Sequence, residues 1–142
     1  VKLIRNITAA GIFHKAVKSM QAGDYSAVLD RLDGFQAQPY LMAKAELFRA
    51  MAQHRHDRFA EAVHHYDNFL TNHLADMPPK DRVYVEEYAK FFRSRAKARI
   101  DPSTPLYSSL AELRKLAAMA PFLTRAEFTF DDSAEADLTG KT

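Results

Sequence analysis

The sequence predicts an all-α protein of stacked antiparallel helical hairpins, and three observations carry that expectation. First, AGDYSAVLDRLDGF at residues 22–35 returns at 56–69 as HDRFAEAVHHYDNF. Tyr25 falls on Phe59, Val28 on Ala62, Leu29 on Val63, Leu32 on Tyr66, Asp33 on Asp67 and Phe35 on Phe69, at a constant offset of 34 residues. The match continues upstream, with Phe13 on Leu47, Ala16 on Ala50 and Val17 on Met51. Second, apolar residues recur at i, i+3, i+4 and i+7, the spacing that builds one face of a helix. Third, the 142 residues contain only four Gly and six Pro. So few turn residues disfavour a β fold.

Each element follows in order. Leu3, Ile4 and Ile7 form a short apolar strip that either begins a helix or packs as an N-terminal cap. Residues 9–22 read as a helix with Ile12, Phe13, Ala16, Val17 and Met20 on one face. Gly23 ends it, because glycine tolerates the left-handed conformation at a helix C-terminus. Asp24 is placed to cap a second helix carrying Tyr25, Val28, Leu29, Leu32 and Phe35, frayed at Gly34. Pro39 breaks the chain before a third helix over about 40–54, with Leu41, Leu47, Phe48, Ala50 and Met51 inward. Asp57 is the expected cap of a fourth helix over about 58–72, which turns Phe59, Ala62, Val63, Tyr66, Phe69 and Leu70 inward. After Met77-Pro78-Pro79 a longer helix spans about 80–100. DPSTP is then a loop, since two prolines in four residues cannot lie inside a helix. A last helix over about 105–119 carries Leu106, Leu110, Leu113 and Leu116, and Pro121 stops it. AEFTFDD, residues 126–132, is either a short strand or structureless.

The helix pair recurring every 34 residues resembles the tetratricopeptide repeat. Ala16 and Ala50 match the family's small residue in the first helix. Tyr25 and Phe59 match its aromatic at the start of the second, and Ala62 its later small residue, where Val28 departs. Leu32 and Tyr66 fill its large position. Phe35 and Phe69 replace its closing small residue, its signature Trp and Gly are missing, and Pro39 is an approximate counterpart of its closing Pro. The resemblance covers repeats 9–42 and 43–76, with a degenerate pair at 80–120. It implies one α-solenoid domain of about three helix pairs over residues 1–125. An acidic tail follows at 126–142, and a different six-helix arrangement with the same pairing remains open.

Composition narrows the chemistry. There is no cysteine, so disulfides, thiolate metal sites and cysteine nucleophiles are excluded. No run of 18 apolar residues is present, and Lys2, Arg5, Lys15, Lys18 and Asp24 break up the N-terminal region where a signal peptide would lie. The expectation is a cytoplasmic protein with no membrane contact. The chain begins at Val1 rather than Met, which fits trimming or excision from a longer protein. Residues 126–142 hold Glu127, Asp131, Asp132, Glu135 and Asp137 against Lys141, a net of −4; in a chain of net +2 the body is then about +6. A basic body suits an acidic partner, or simply solubility.

Two constellations invite a chemical role. His54, His56, His64, His65 and His73 cluster, and a hairpin could bring His54, His56 and one of the adjacent pair toward a metal ion. Against this, there is no HExxH, and neighbouring histidines on a helix point about 100° apart. RSRAKAR at 93–99 looks like a nucleic-acid patch, yet only Lys90, Arg93 and Lys97 share a helix face while Arg95 and Arg99 fall nearly opposite. No serine has a nucleophile-elbow context and no glycine-rich phosphate loop occurs, so the sequence points to no enzyme and implies no cofactor.

The concave face is the better candidate. In the tetratricopeptide family the first helix of each pair lines a groove for a partner peptide or helix. By that resemblance the partner-binding positions are Phe13, His14, Val17, Met20 and Gln21, with Ala10 beside them, and Lys44, Leu47, Phe48, Met51, His54 and Arg55. Phe13 and Val17 stand where the family's carboxylate clamp has Lys and Asn, so that clamp is missing. The expectation is a non-catalytic module that binds a peptide, helix or protein, as an adaptor, chaperone, inhibitor or immunity-type protein. Arg55, Lys44 and the Lys90/Arg93/Lys97 face would then meet an acidic partner. The alternative is nucleic-acid binding through the basic helix face.

Overall fold

The computed structural model describes residues 2–119, with side chains from Thr8 onward. The side chains of Leu3, Ile4 and Ile7 lie outside what is described. The acidic stretch 126–142, the candidate strand at 126–132 and Pro121 lie outside the described residues. The described chain is all helical, without strands.

Helix α1 (Lys2–Gln21) and helix α2 (Tyr25–Leu32) form the first hairpin. Helix α3 (Pro39–Arg55) and helix α4 (Phe59–Asn68) form the second. A single π-helical turn, Phe69–His73, and a 3₁₀ turn, Leu74–Asp76, carry the chain to the long helix α5 (Pro79–Ile100). Helix α6 (Leu110–Ala117) closes the order. Each helix packs chiefly against the next, and α1 also reaches α3. The core runs through the whole series, from Ala9 and Phe13 to Ala96 and Leu113.

The two hairpins share more than a hydrophobic pattern. Gly23 and Asp57, equivalent in the repeat, are both left-handed, at φ 77° and 62°. Asp24 and Arg58 follow with almost the same backbone, φ −93°, ψ 77° and φ −98°, ψ 76°. The closing hydrogen bonds correspond as well. The Asp24 amide donates to Ser19 O at 2.9 Å and the Gly23 amide to Met20 O at 3.1 Å. Arg58 donates to Gln53 O at 2.9 Å and Asp57 to His54 O at 3.1 Å. This double bond pattern satisfies carbonyls that a helix C-terminus otherwise leaves open. Ala16, Ala50 and Ala62 are fully buried, which lets the paired helices approach closely.

Three local expectations need correction. Asp57 does not cap α4. It takes the left-handed position that ends α3, and Arg58, which cannot accept a hydrogen bond, stands at the N-cap. Asp24 does cap α2, accepting from the Ala27 amide at 3.2 Å. The fourth helix does not run regularly to residue 72: the π turn adds a residue, which keeps Phe69 inside and leaves Leu70 half-buried. The last helix starts five residues later than periodicity suggests. Ser109 caps it, accepting from the Glu112 amide at 3.2 Å, and Leu106 lies in the preceding loop, exposed. Pro105 has no amide hydrogen to enter a helix, and the Ser109 cap offers a better start.

Candidate functional site

The eleven groove positions divide sharply. On α1, His14 and Gln21 are exposed, while Phe13, Val17 and Met20 are buried with an edge toward the surface. Together with Ala10, Lys18, Leu41 and Lys44, four of these five (Met20 is the exception) line a hollow of about 370 Å³ between α1 and α3. Lys44 is the hinge of this hollow. Its stem is buried and its ammonium stands 4.9 Å from the Phe13 ring centre and 4.8 Å from that of Tyr40. Both rings offer their negative faces to the charge.

The remaining positions on α3 belong to the interior. Leu47 and Phe48 are fully buried, and Phe48 packs against Phe13 with ring centres 5.1 Å apart. Met51 and His54 are buried against α4 and α5. The His54 ring meets Phe59, Tyr66 and Phe92 edge-on, and its Nδ1 lies 3.0 Å from Tyr66 Oη. Arg55 lies half-buried among Tyr25, Tyr66 and Tyr88. Burial works against its charge, but Tyr88 and Tyr25 outweigh that and raise its pKa. Burial in turn raises the Tyr66 hydroxyl well above its usual range and pushes Tyr88 up to about 12.

His64 and His65 lie with ring centres 5.4 Å apart, but His54 and His56 do not join them at one point. His54 is held by Tyr66, and His56 is exposed at the turn. His65 Nδ1 meets Glu46 Oε2 at 2.9 Å. Among the described residues no group of three or more His, Asp or Glu is arranged to hold a metal ion.

Glu46 itself is a buried carboxylate that its surface-like sequence context conceals. It accepts from Asn68 at 2.6 Å and from Arg49 at 3.0 Å, besides its contact with His65. Arg49 also donates to Leu32 O at 2.8 Å, joining the network to the first hairpin. Burial favours the neutral acid, but His65, Asn68 and Arg49 together take the pKa from 4.5 down to about 2. None of these partners is a nucleophilic hydroxyl, and the network ties α3 to α4.

A second hollow, of about 670 Å³, opens between α4, α5 and the loop before α6. Lys90, Arg93 and Lys97 all line it, as their shared helix face predicts, with Asp67, Leu70, Leu106 and Tyr107 around them. Arg93 forks onto Asp67, and Lys90 pairs with Glu86 at 3.0 Å. Arg95 and Arg99 do point away. Arg95 is fully buried, 3.5 Å over the Phe91 ring, and donates to Ser108 O at 2.8 Å. Its place was legible, since Tyr84, Tyr88, Phe91 and Arg95 follow helical spacing along the inward face. Arg99 lies 4.6 Å over the Phe59 ring. No described helix is long and apolar enough to cross a membrane.

No protein family, curated protein or solved structure matches the chain.

Proposed function

We propose that the chain is a non-catalytic protein-interaction module that binds a segment of a partner protein in the α1–α3 groove. The carrying observation is the make-up of that hollow. Phe13, Val17 and Leu41 give it an apolar floor, His14 and the cationic Lys18 give it a polar rim, the largely buried Lys44 adds a second positive charge, and no carboxylate lines it. Such a surface suits an amphipathic helix or extended segment whose apolar side chains enter while an acidic residue meets the rim. An adaptor, chaperone, inhibitor or immunity-type protein would use it by stoichiometric binding in the cytoplasm. The tetratricopeptide-like resemblance supports the same face, because the first helix of a pair would line the groove.

Less supports the nucleic-acid alternative. Arg95 is in the core, and Lys90 and Arg93 already face carboxylates, so few cations are left to neutralise a run of phosphates.

The test is capture of partners from the source lysate at low and moderate salt, with wild type and with His14→Glu and Lys18→Glu. Both positions are exposed, so neither substitution disturbs the core. The expected result is one stoichiometric protein that survives moderate salt and whose affinity falls roughly tenfold in each variant, about 1.4 kcal/mol. A partner indifferent to both variants would remove the groove from the reading. Nucleic acid that washes off steeply with salt would replace it by the alternative.

A further inference from the structure

We propose that the α4–α5 cleft is a separate binding site, for a small amphipathic anion: a carboxylate at one end of an apolar body. Its volume of about 670 Å³ falls within the roughly 300–1,000 Å³ of small-molecule pockets. Three cations line it against one carboxylate, Asp67. Lys90 is taken up by Glu86 at 3.0 Å, beside Glu87, which accepts from Tyr107 Oη at 3.0 Å. Arg93 and Lys97 stand one turn apart on α5, with Cβ atoms about 5–6 Å from each other. One carboxylate can bridge that distance. Arg93 gives Nε and Nη2 to Asp67, which leaves Nη1 for a second acceptor. Lys97 makes no ion pair among the described residues; Asp101 is the charge it influences.

The opposite wall is apolar and fixed. Leu70, Pro105, Leu106 and Tyr107 supply it, and Leu106 and Tyr107 remain 37% and 48% exposed. Large apolar side chains held out of the core on a loose loop would mean little. This loop is anchored from within. Ser94 Oγ accepts from the Tyr107 amide at 3.0 Å, and the buried Arg95 donates to the next carbonyl, Ser108 O. A buried guanidinium used as a strut keeps the wall standing before any ligand arrives. Cations alone would suit phosphate, and apolar side chains alone would suit a neutral hydrocarbon. The combination selects a molecule with both, its carboxylate between Arg93 and Lys97 and its body against Leu70 and Leu106.

The experiment is calorimetric titration of the full chain with three probes of equal chain length: octanoate, octanol and octylammonium, all below micelle-forming concentrations. Octanoate is expected to bind saturably at one site, octanol roughly tenfold more weakly, and octylammonium not at all. Lys97→Glu should weaken octanoate binding at least about tenfold, and Leu106→Asp, in the loop wall, should do the same from the apolar side. Lys15→Glu, the same charge change on an exposed α1 position outside both hollows, should leave it unchanged. Circular dichroism confirms that each variant is folded. Non-saturable octanoate uptake, equal binding of octylammonium, or an equal loss in Lys15→Glu would overturn the proposal.

Discussion

The first and second hairpins carry the same pattern in the same register, yet their equivalent residues meet different fates. His14 is exposed where Phe48 is fully buried, and Lys18 is exposed where Ala52 is fully buried. Ile12 is half-buried among apolar neighbours where Glu46 anchors a buried polar network. The difference lies in what covers each α-helix. The second hairpin has α5 beyond it, and Tyr88 and Phe92 close over Met51 and His54. The first hairpin has no described element at its outer side, so His14 and Lys18 stay exposed there. A repeat therefore fixes backbone geometry, while position in the stack decides whether a side chain is core or surface.

The largest expected effect tests what the hairpins have in common. Ala50 and Ala16 are both fully buried at the crossing of their helix pairs. Ala50→Trp should abolish cooperative thermal unfolding, well beyond the roughly 1–3 kcal/mol typical of added methylene groups. Ala16→Trp should do the same. A cooperative melt kept by either variant would show that its hairpin is not closely packed.

The next test addresses the contrast directly. Phe48→Ala should cost about 3–5 kcal/mol, because it empties a fully buried site against Phe13. His14→Ala, its repeat equivalent, should stay within about 0.5 kcal/mol. Urea denaturation measures both. Similar costs at the two positions would mean that the outer face of α1 is covered in solution.

The second hairpin carries a pH dependence of its own. Glu46 has a folded pKa of about 2 against 4.5 unfolded. The native state thus holds fewer protons than the unfolded chain between those values. Its contribution, on the order of 3 kcal/mol, is complete above about pH 4.5 and is lost as pH falls toward 2. Glu46→Gln should lower stability at pH 7 and flatten the acid limb of the profile. An unchanged acid limb would place the titration elsewhere.

These contrasts also mark what the chain could declare in advance. The helices and their order followed from apolar spacing and from prolines that enter only at first turns or between elements. The Lys90, Arg93 and Lys97 face was legible because one helix fixes it by itself. The groove was legible only on α1. Leu47, Phe48 and Met51 look the same from sequence whether neighbouring helices cover them or solvent does, since apolar periodicity marks a buried face without saying which neighbour buries it. Glu46 was invisible for a related reason. Its partners Asn68 and His65 come from another helix, and nothing local distinguishes it from a surface glutamate. Leu106 misled because its leucine spacing continues a helix that Pro105 and the Ser109 cap delay.

The smallest prediction sharpens the comparison at its closest point. Asp24 and Arg58 have nearly identical backbones at the two hairpin turns, but only Asp24 accepts from an amide of the helix it starts. Arg58→Asp should therefore supply the missing cap of α4 and place a negative charge at its positive end. The expected gain is about 1 kcal/mol, read as a higher urea midpoint with an unchanged slope. Asp24→Ala should lose a similar amount by the reverse change. If Arg58→Asp gains nothing while Asp24→Ala costs its full share, the matching dihedral angles do not bring the side chain within reach of the Glu61 amide. The two turns would then be alike in trace but not in capping geometry.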